Sequence, residues 1–486
     1  MHINVRGLLY DLRTNLHPRE LFYWSVGNGV YWTFRLGMRV ELYGMREHFC
    51  PPAPATLIIG AHKRDADPML FAAFSHYPRG WLAPDARRTA FTARSDMWEP
   101  GFLATVVGYK GWPPWIQYLL DHTSFASVAT LMRAQPILRI PEYTLRQYLR
   151  SVLKDEGDLP LSQVLSERTL SLFARGRPDG DAGATPQSRG TAGGRPGTEA
   201  GATSRAAAVG TLSVSKVLGW AYRPLTARSI RAHMLAQGRY EQLREAWQTQ
   251  IEQEMETLAR VLDSGDTLWF APEGAVSLDG RLLRLRSGLH MLLAKARADA
   301  RCLPVNVSYD FMSTERRKIV CLGVGPALEG LRGLEQAELS ARVAPAMVRQ
   351  TVVTMTQLGS ARLMAHLAEQ RLEFAPEEEA PLIAAHARRL TDLGAWVQRD
   401  LLTKRGLRRR LRAFLSYCQK RRLLLPDKNG GYRINAEAIT GTRSSTFWEN
   451  PARYSANELA ALEEMLQKYT PQSDSDTREA LASPPL

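Results

Sequence analysis

Two rhythms of hydrophobic positions alternate along most of the chain. From Pro51 to Asp310, short apolar runs give way repeatedly to stretches in which apolar residues return every three or four positions. ATLIIG, RTAFTAR, PILRI, TLWFAPEG and CLPVNVSYDF have strand length and strand composition. Leu243, Trp247, Ile251, Met255, Leu258 and Leu262 mark one face of a long amphipathic helix that stops at Ser264-Gly265, and GLHMLLAKARADA predicts another helix. After ATLIIG, Asp67-Pro68 reads as an N-cap followed by Pro at the first helical position, opening the helix MLFAAF. Strand, helix, strand in this order predicts an α/β domain, a mostly parallel sheet flanked by helices.

The rhythm changes twice. Between Arg175 and Gly210 the chain is Gly, Ala, Thr, Ser, Pro and Arg with almost no large apolar residue, which predicts a disordered insertion. After about Leu358 the pattern is helical and leads into the basic run KRGLRRRLRAFLSYCQKRR. LLLPDKNGGYRINA follows, two strand-like pieces around a Lys-Asn-Gly-Gly turn, which predicts a β-hairpin. Helices closed by a hairpin predict a smaller, winged-helix-like domain. The expected organisation is therefore an aromatic N-terminal segment (1–50), an α/β domain (51–358) carrying the insertion (175–210), a basic helical domain (359–470) and a frayed tail (471–486).

Composition sharpens this picture. At 486 residues the chain exceeds one ordinary core, and its formal net charge of +14 favours anionic partners: phosphate-bearing substrates, nucleic acid or an anionic membrane surface. Cys50, Cys302, Cys321 and Cys418 are far apart and form no CxxC pair, so neither a disulfide framework nor a metal site is expected, which fits a reducing cytoplasm. The N-terminus carries charges where a signal peptide needs an apolar stretch, and LFYWSVGNGVYWTF is too short and polar to cross a bilayer, which takes about 20 apolar residues. Its Tyr and Trp residues between Arg19 and Arg35 suit either a membrane-water interface or a buried helix under the sheet.

The chemistry is concentrated at predicted strand ends, where open α/β sheets place their ligands. GAHKRDADP follows ATLIIG and sets His62 and Asp67 in H-x4-D spacing. Arg139 closes AQPILR, and Glu273-Gly274 lies in FAPEGAVS after another strand. Each has a plainer reading: Asp67 suffices as a cap, Arg139 as the partner of Glu142, and Pro-Glu-Gly as a turn.

Taken in order, these blocks resemble the glycerophospholipid acyltransferase family, which includes the bacterial lysophosphatidic acid and glycerol-3-phosphate acyltransferases. That family carries NHxSxxD, a block ending in Arg after an apolar pair, FPEGTRS, and a final VP-type strand, to which LPVNVSYD is similar. The resemblance spans roughly Val40 to Val324 and includes ARSDMW at Ala93–Trp98. The chain differs at Ala61, where the family has Asn, at Arg64 or Asp65 in place of Ser, at Val276 in place of Arg, and at Arg133, where the second block begins with Gly. Arg281, Arg284 or Arg286 is available to replace the missing arginine.

The resemblance implies an O-acyltransferase, 1-acylglycerol-3-phosphate O-acyltransferase-like, that moves a fatty acyl group from acyl-CoA or acyl carrier protein to a glycerol-phosphate-type hydroxyl in phospholipid synthesis. His62 is then the general base and Asp67 its partner, with Arg139, Glu273 and Gly274 binding substrate. The thioester is a co-substrate, and no cofactor or metal is required. An imidazole with pKa near 6.5 can take the hydroxyl proton as attack proceeds, an effect of about 10²–10⁴-fold, and a carboxylate stabilises the cation that forms. The expected partners are the acyl donor, a phosphorylated glycerol or lysolipid acceptor and an anionic membrane at the inner face of the cell; nucleic acid is not expected. Two rivals stand beside this. Asp65 and Asp67 in DAD match the metal-binding triplet of glycosyltransferases, and the basic C-terminal domain would equally suit a nucleic-acid-binding module beside a degenerate enzyme.

Overall fold

The computed structural model describes residues 18–49, 55–64, 66–76, 89–102, 113–140, 143–175, 207–218, 222–427, 430–441 and 449–469. They fall into two compact units: 1–92, 127–135 and 255–486 form the first, and 93–126 with 136–254 form the second. The boundary expected at 358 falls inside the first unit, so the C-terminal helices belong with the sheet.

Helix α1 (Pro18–Gly37) runs directly into β1 (Met38–Tyr43). β2 (Thr56–Gly60), α2 (Asp67–His76), β3 (Thr89–Arg94) and β4 (Ala134–Ile137) follow. α3 (Arg239–Asp263) then leads to β5 (Thr267–Phe270), α4 (Gly288–Lys295), β6 (Arg301–Asp310) and β7 (Lys318–Val324). The seven strands form one sheet in the order β1-β7-β6-β2-β5-β3-β4. β2 is central and parallel to both neighbours, with Leu57 opposite Leu268 on one side and Cys302 on the other. All five of its residues are buried, as a strand covered on both faces requires. Among the described pairings whose register is resolved in this sheet, β6–β7 is antiparallel and the others are parallel.

Three elements differ from expectation. The strand in PILRI is Ala134–Ile137, which ends two residues before Arg139; it lies at the sheet edge, where Pro136 costs no ladder bond. α4 stops at Lys295, because Arg297 and Ala298 donate their backbone N–H groups to Asp263 at the end of α3 (2.8 and 2.9 Å). The aromatic N-terminal stretch divides its faces: Val30, Tyr31 and Phe34 pack on the core beside β6 and β7, whereas Trp32 and Leu36 are 55% and 73% exposed. No described helix is long and apolar enough to cross a membrane.

Beyond the sheet come α5 (Gln336–Arg349), β8 (Val352–Val353), α6 (Met355–Ala368), β9 (Glu373–Phe374), α7 (Pro376–Asp392), β10 (Trp396–Val397), α8 (Lys404–Lys420), β11 (Leu424–Pro426), β12 (Tyr432–Ile434) and α9 (Pro451–Tyr469). The expected hairpin is present: β11 and β12 pair antiparallel, Leu424 opposite Ile434, and β12 pairs on its other edge with β9. Leu358, Ile383, Leu411, Phe414 and Leu459 share one core beneath these helices.

The second unit is mainly helical. Its helix Leu145–Asp155 begins in a capping box, Thr144 with Gln147, and buries Leu145, Tyr148, Leu149 and Val152. Residues 176–206 of the expected insertion, and the tail from 471, lie outside the described residues. Residues 207–210, at the end of the expected insertion, are helical and Val209 is in the core, which differs from the disorder expected there.

Candidate active site

β2 and β5 are adjacent and parallel, so the loops after Gly60 and Phe270 leave the same edge of the sheet. These loops carry two of the blocks singled out in the sequence, and hydrogen bonds join them. The backbone N–H of His62 donates to Glu273 Oε1 (2.9 Å), and Ser277 N–H donates to the His62 carbonyl (2.9 Å). The other Glu273 oxygen accepts from Leu283 N–H (2.8 Å). His62 is 4% exposed, and Glu273 and Asp67 are fully buried. Burial pushes the Glu273 carboxyl up to about 7 against the pull of its two N–H donors.

Gly274 is required by its backbone: φ is +66°, and a Cβ there would stand 2.9 Å from Arg286 Cδ. Arg286 Nε in turn donates to the Glu273 carbonyl (3.1 Å). Of Arg281, Arg284 and Arg286, Arg286 is the one whose side chain binds this loop, whereas the Arg281 side chain pairs with Glu464 on α9 (2.8 and 2.9 Å) and Arg284 is exposed.

Asp67 does a different job from the expected cap. It is the first residue of α2, and its carboxylate turns back onto the loop: Oδ2 accepts from Lys63 N–H and Arg64 N–H (both 2.8 Å), and Oδ1 accepts from the Tyr309 hydroxyl. Burial raises the Asp67 carboxyl to about 6 despite these donors. The Tyr309 hydroxyl, raised by burial and by the neighbouring carboxylate, keeps its proton and donates it. The Arg64 guanidinium lies over the Tyr309 and Phe311 rings, 4.5 and 4.6 Å from their centroids. Asp65 lies outside the described residues.

α9 closes one side of both loops. Lys63 forms a buried ion pair with Glu458, and Asn457 Nδ2 donates to the Asp279 carbonyl (3.0 Å). Gly280, at φ +87°, passes so close that a Cβ would stand 2.1 Å from the Tyr454 carbonyl oxygen. The cavity left between Lys63, Glu273, Asn306 and Glu458 is about 20 Å³, room for a single water. α9 therefore leaves no room for an organic ligand on this side of the loop.

Arg139 belongs to the second unit. It is half-buried and lines a small cavity with Arg94, Asp96 and Gln147, which brings the ARSDMW block and the second block together. Arg94 is held by Asp96 through Nε (3.0 Å). Glu142, the expected alternative partner of Arg139, lies outside the described residues. Arg133 occupies the left-handed region at φ +62°, a conformation suited to the glycine that opens this block in the family.

No protein-family model matches the chain, and no curated protein does.

The sequence missed Tyr309 and Glu458. Tyr309 is the penultimate residue of β6, the strand next to β2, so a hydroxyl-bearing ring at the C-terminal end of a buried strand was its signal; Glu458 lies 395 residues from Lys63 and carried none. Among the described residues, no group of three His, Cys, Asp or Glu side chains is placed to hold a metal ion. Chemically, the loop offers an imidazole, a buried carboxylate whose donors fix its orientation, and a second carboxylate that binds the histidine backbone.

Proposed function

We propose that the chain is an O-acyltransferase that moves a fatty acyl group from a thioester, acyl-CoA or acyl carrier protein, to a hydroxyl of a glycerol-phosphate-type acceptor. The observation that carries this reading is the hydrogen bond from His62 N–H to Glu273, which joins two blocks 211 residues apart at one sheet edge. In this reaction His62 takes the acceptor proton while the hydroxyl oxygen attacks the thioester carbonyl. The tetrahedral intermediate expels the thiolate, and the imidazolium returns the proton to it, so ester and free thiol leave. Asp67 offsets the positive charge on the imidazolium, Glu273 holds the histidine backbone, and Arg139 takes the acceptor phosphate.

For the C-terminal part, a winged-helix-like arrangement is supported by the element order α6-β9-α7-β10-α8-β11-β12, in which β10 pairs with β8 outside the small sheet, and by the sheet order β11-β12-β9. Peripheral attachment to an anionic membrane is supported by the exposed Trp32 and Leu36 of α1 and by exposed basic residues between Lys404 and Arg422.

The test is an assay of purified protein with acyl-CoA or acyl carrier protein thioesters and a panel of glycerol 3-phosphate and lysophosphatidic acid acceptors. Ester formation that survives chelator and is lost in His62→Ala is expected; no transfer to any acceptor, or transfer unaffected by that substitution, overturns the reading. Sedimentation with anionic vesicles at low salt, partly reversed by salt, is the parallel expectation for the membrane.

A further inference from the structure

The C-terminal helices carry a surface that acyl transfer does not use. α7 and α8 line a groove of about 810 Å³. Its α7 wall is low because Ala380 and Ala384 stand one turn apart there, and Leu402, half exposed, sits in the loop before α8. Leu407, Leu411 and Leu415 form the floor at successive turns of α8. Lys404, Arg408 and Arg412 repeat at the same interval, a row about 12 Å long, and Arg388 joins them from α7. Glu377 is the only acidic residue that lines the groove among the described residues. Arg409, off the groove, is paired with Asp400 and Glu315, whereas Lys404, Arg408 and Arg412 have no carboxylate partner among the described residues.

We propose that this groove docks an amphipathic helix of a partner protein, its apolar stripe on the Leu and Ala positions and a row of carboxylates facing Lys404, Arg408 and Arg412. A third helix laid along α8 meets this row with its own residues at i, i+4 and i+8, and the alanines let its backbone approach to ordinary helix-packing distance. A flat bilayer fits less well, since Leu407, Leu411 and Leu415 are floor residues, each about 5% exposed, rather than protrusions. Duplex nucleic acid supplies charge but no apolar stripe for Leu402, Ala380 and Ala384. Arg405, Lys420, Arg421 and Arg422 lie off the groove and remain for the membrane. The inference stands whether or not the acyltransferase reading does.

The test measures binding of the full chain to a labelled, helix-constrained peptide of roughly five turns with leucines on one stripe and glutamates beside it. Its lysine counterpart, phosphatidylglycerol vesicles and a short duplex DNA are the comparisons. The acidic peptide should bind and the lysine peptide should not. Arg408→Glu combined with Arg412→Glu should weaken binding by about tenfold or more, as should Ala384→Trp, which fills the groove without changing charge. Failure of the acidic peptide to bind, or binding indifferent to Ala384→Trp, overturns the proposal. So does loss of vesicle or duplex binding in these variants when the peptide is not bound.

Discussion

The loop around His62 and the outer face of α8 are both dense in charge, and they handle it in opposite ways. In the loop, Lys63, Asp67 and Glu273 are buried or nearly so, and each has partners supplied from elsewhere: Glu458, Tyr309 and the His62 and Leu283 backbones. On α8, Lys404, Arg405, Arg408, Arg409, Arg412 and Lys420 are exposed, and Gln419 is the one exposed position of the helix that is not basic. Removing a charge from water costs several kcal/mol, so burial admits only charges that are paired. An exposed charge costs little, so a helix can hold a surplus of one sign and present it to a partner. Arg410 tests the rule within α8 itself: fully buried among its exposed neighbours, it is bound to both Asp310 and Glu315.

The largest effects are expected inside the loop. His62→Ala and Asp67→Asn should each lower turnover by about 10²–10⁴-fold, while Asp65→Asn costs little, measured by steady-state acyl transfer alongside a thermal melt. Equal damage from the two Asn variants, together with sensitivity to chelator, would favour the metal-dependent rival. Next in size is the contrast between two adjacent arginines. Arg410→Met should destabilise the chain by about 3–5 kcal/mol by stranding Asp310, whereas Arg409→Met should cost about 1 kcal/mol or less, read from urea midpoints. Similar losses for both would mean that burial does not separate them.

A pH dependence follows from Glu273. Its carboxyl titrates near 7 in the folded chain against an ordinary 4.5, so between these values the folded state holds a proton that the unfolded state has lost. Stability should therefore be greatest at the acid end of this window and fall as pH rises through it, by about 3 kcal/mol in all. Asp67 adds a fall of the same sign between 3.8 and about 6. Urea unfolding across this range should show the slope, and Glu273→Gln should flatten it. Smaller still, Arg139→Ala should reduce kcat/KM for a phosphorylated acceptor by roughly ten- to a hundredfold, about 1.5–3 kcal/mol, and leave donor kinetics unchanged. The smallest effect is expected from deleting 178–204, which should shift stability by less than about 1 kcal/mol, because loop-closure entropy changes slowly with length.

Much of the frame was legible along the chain. Short apolar runs marked β2, β3, β5 and β6, as strands covered on both faces require, and the 3.6-residue period marked α3 to within a few residues, because it reflects which side of the helix faces the core. The same periodicity contained a signal that went unread: Arg410 follows Leu407 by three residues and precedes Phe414 by four, which places it on the apolar face of α8. Arg139 was read as a strand end, yet the edge strand closes before it.

The sequence by itself thus determined β2, β3, β5, β6 and α3, a mostly parallel sheet and the placing of His62 and Glu273 after strands, since these follow from local periodicity and chain direction. Only the tertiary structure decided the partners. Sheet order puts β6 beside β2 and so brings Tyr309 to Asp67 across 242 residues; β5 on the other side brings Glu273 to the His62 backbone, and the packing of α9 brings Glu458 to Lys63. The physical reason is that a buried polar group needs a partner but does not specify where along the chain that partner lies. The register of neighbouring strands and helices makes that choice.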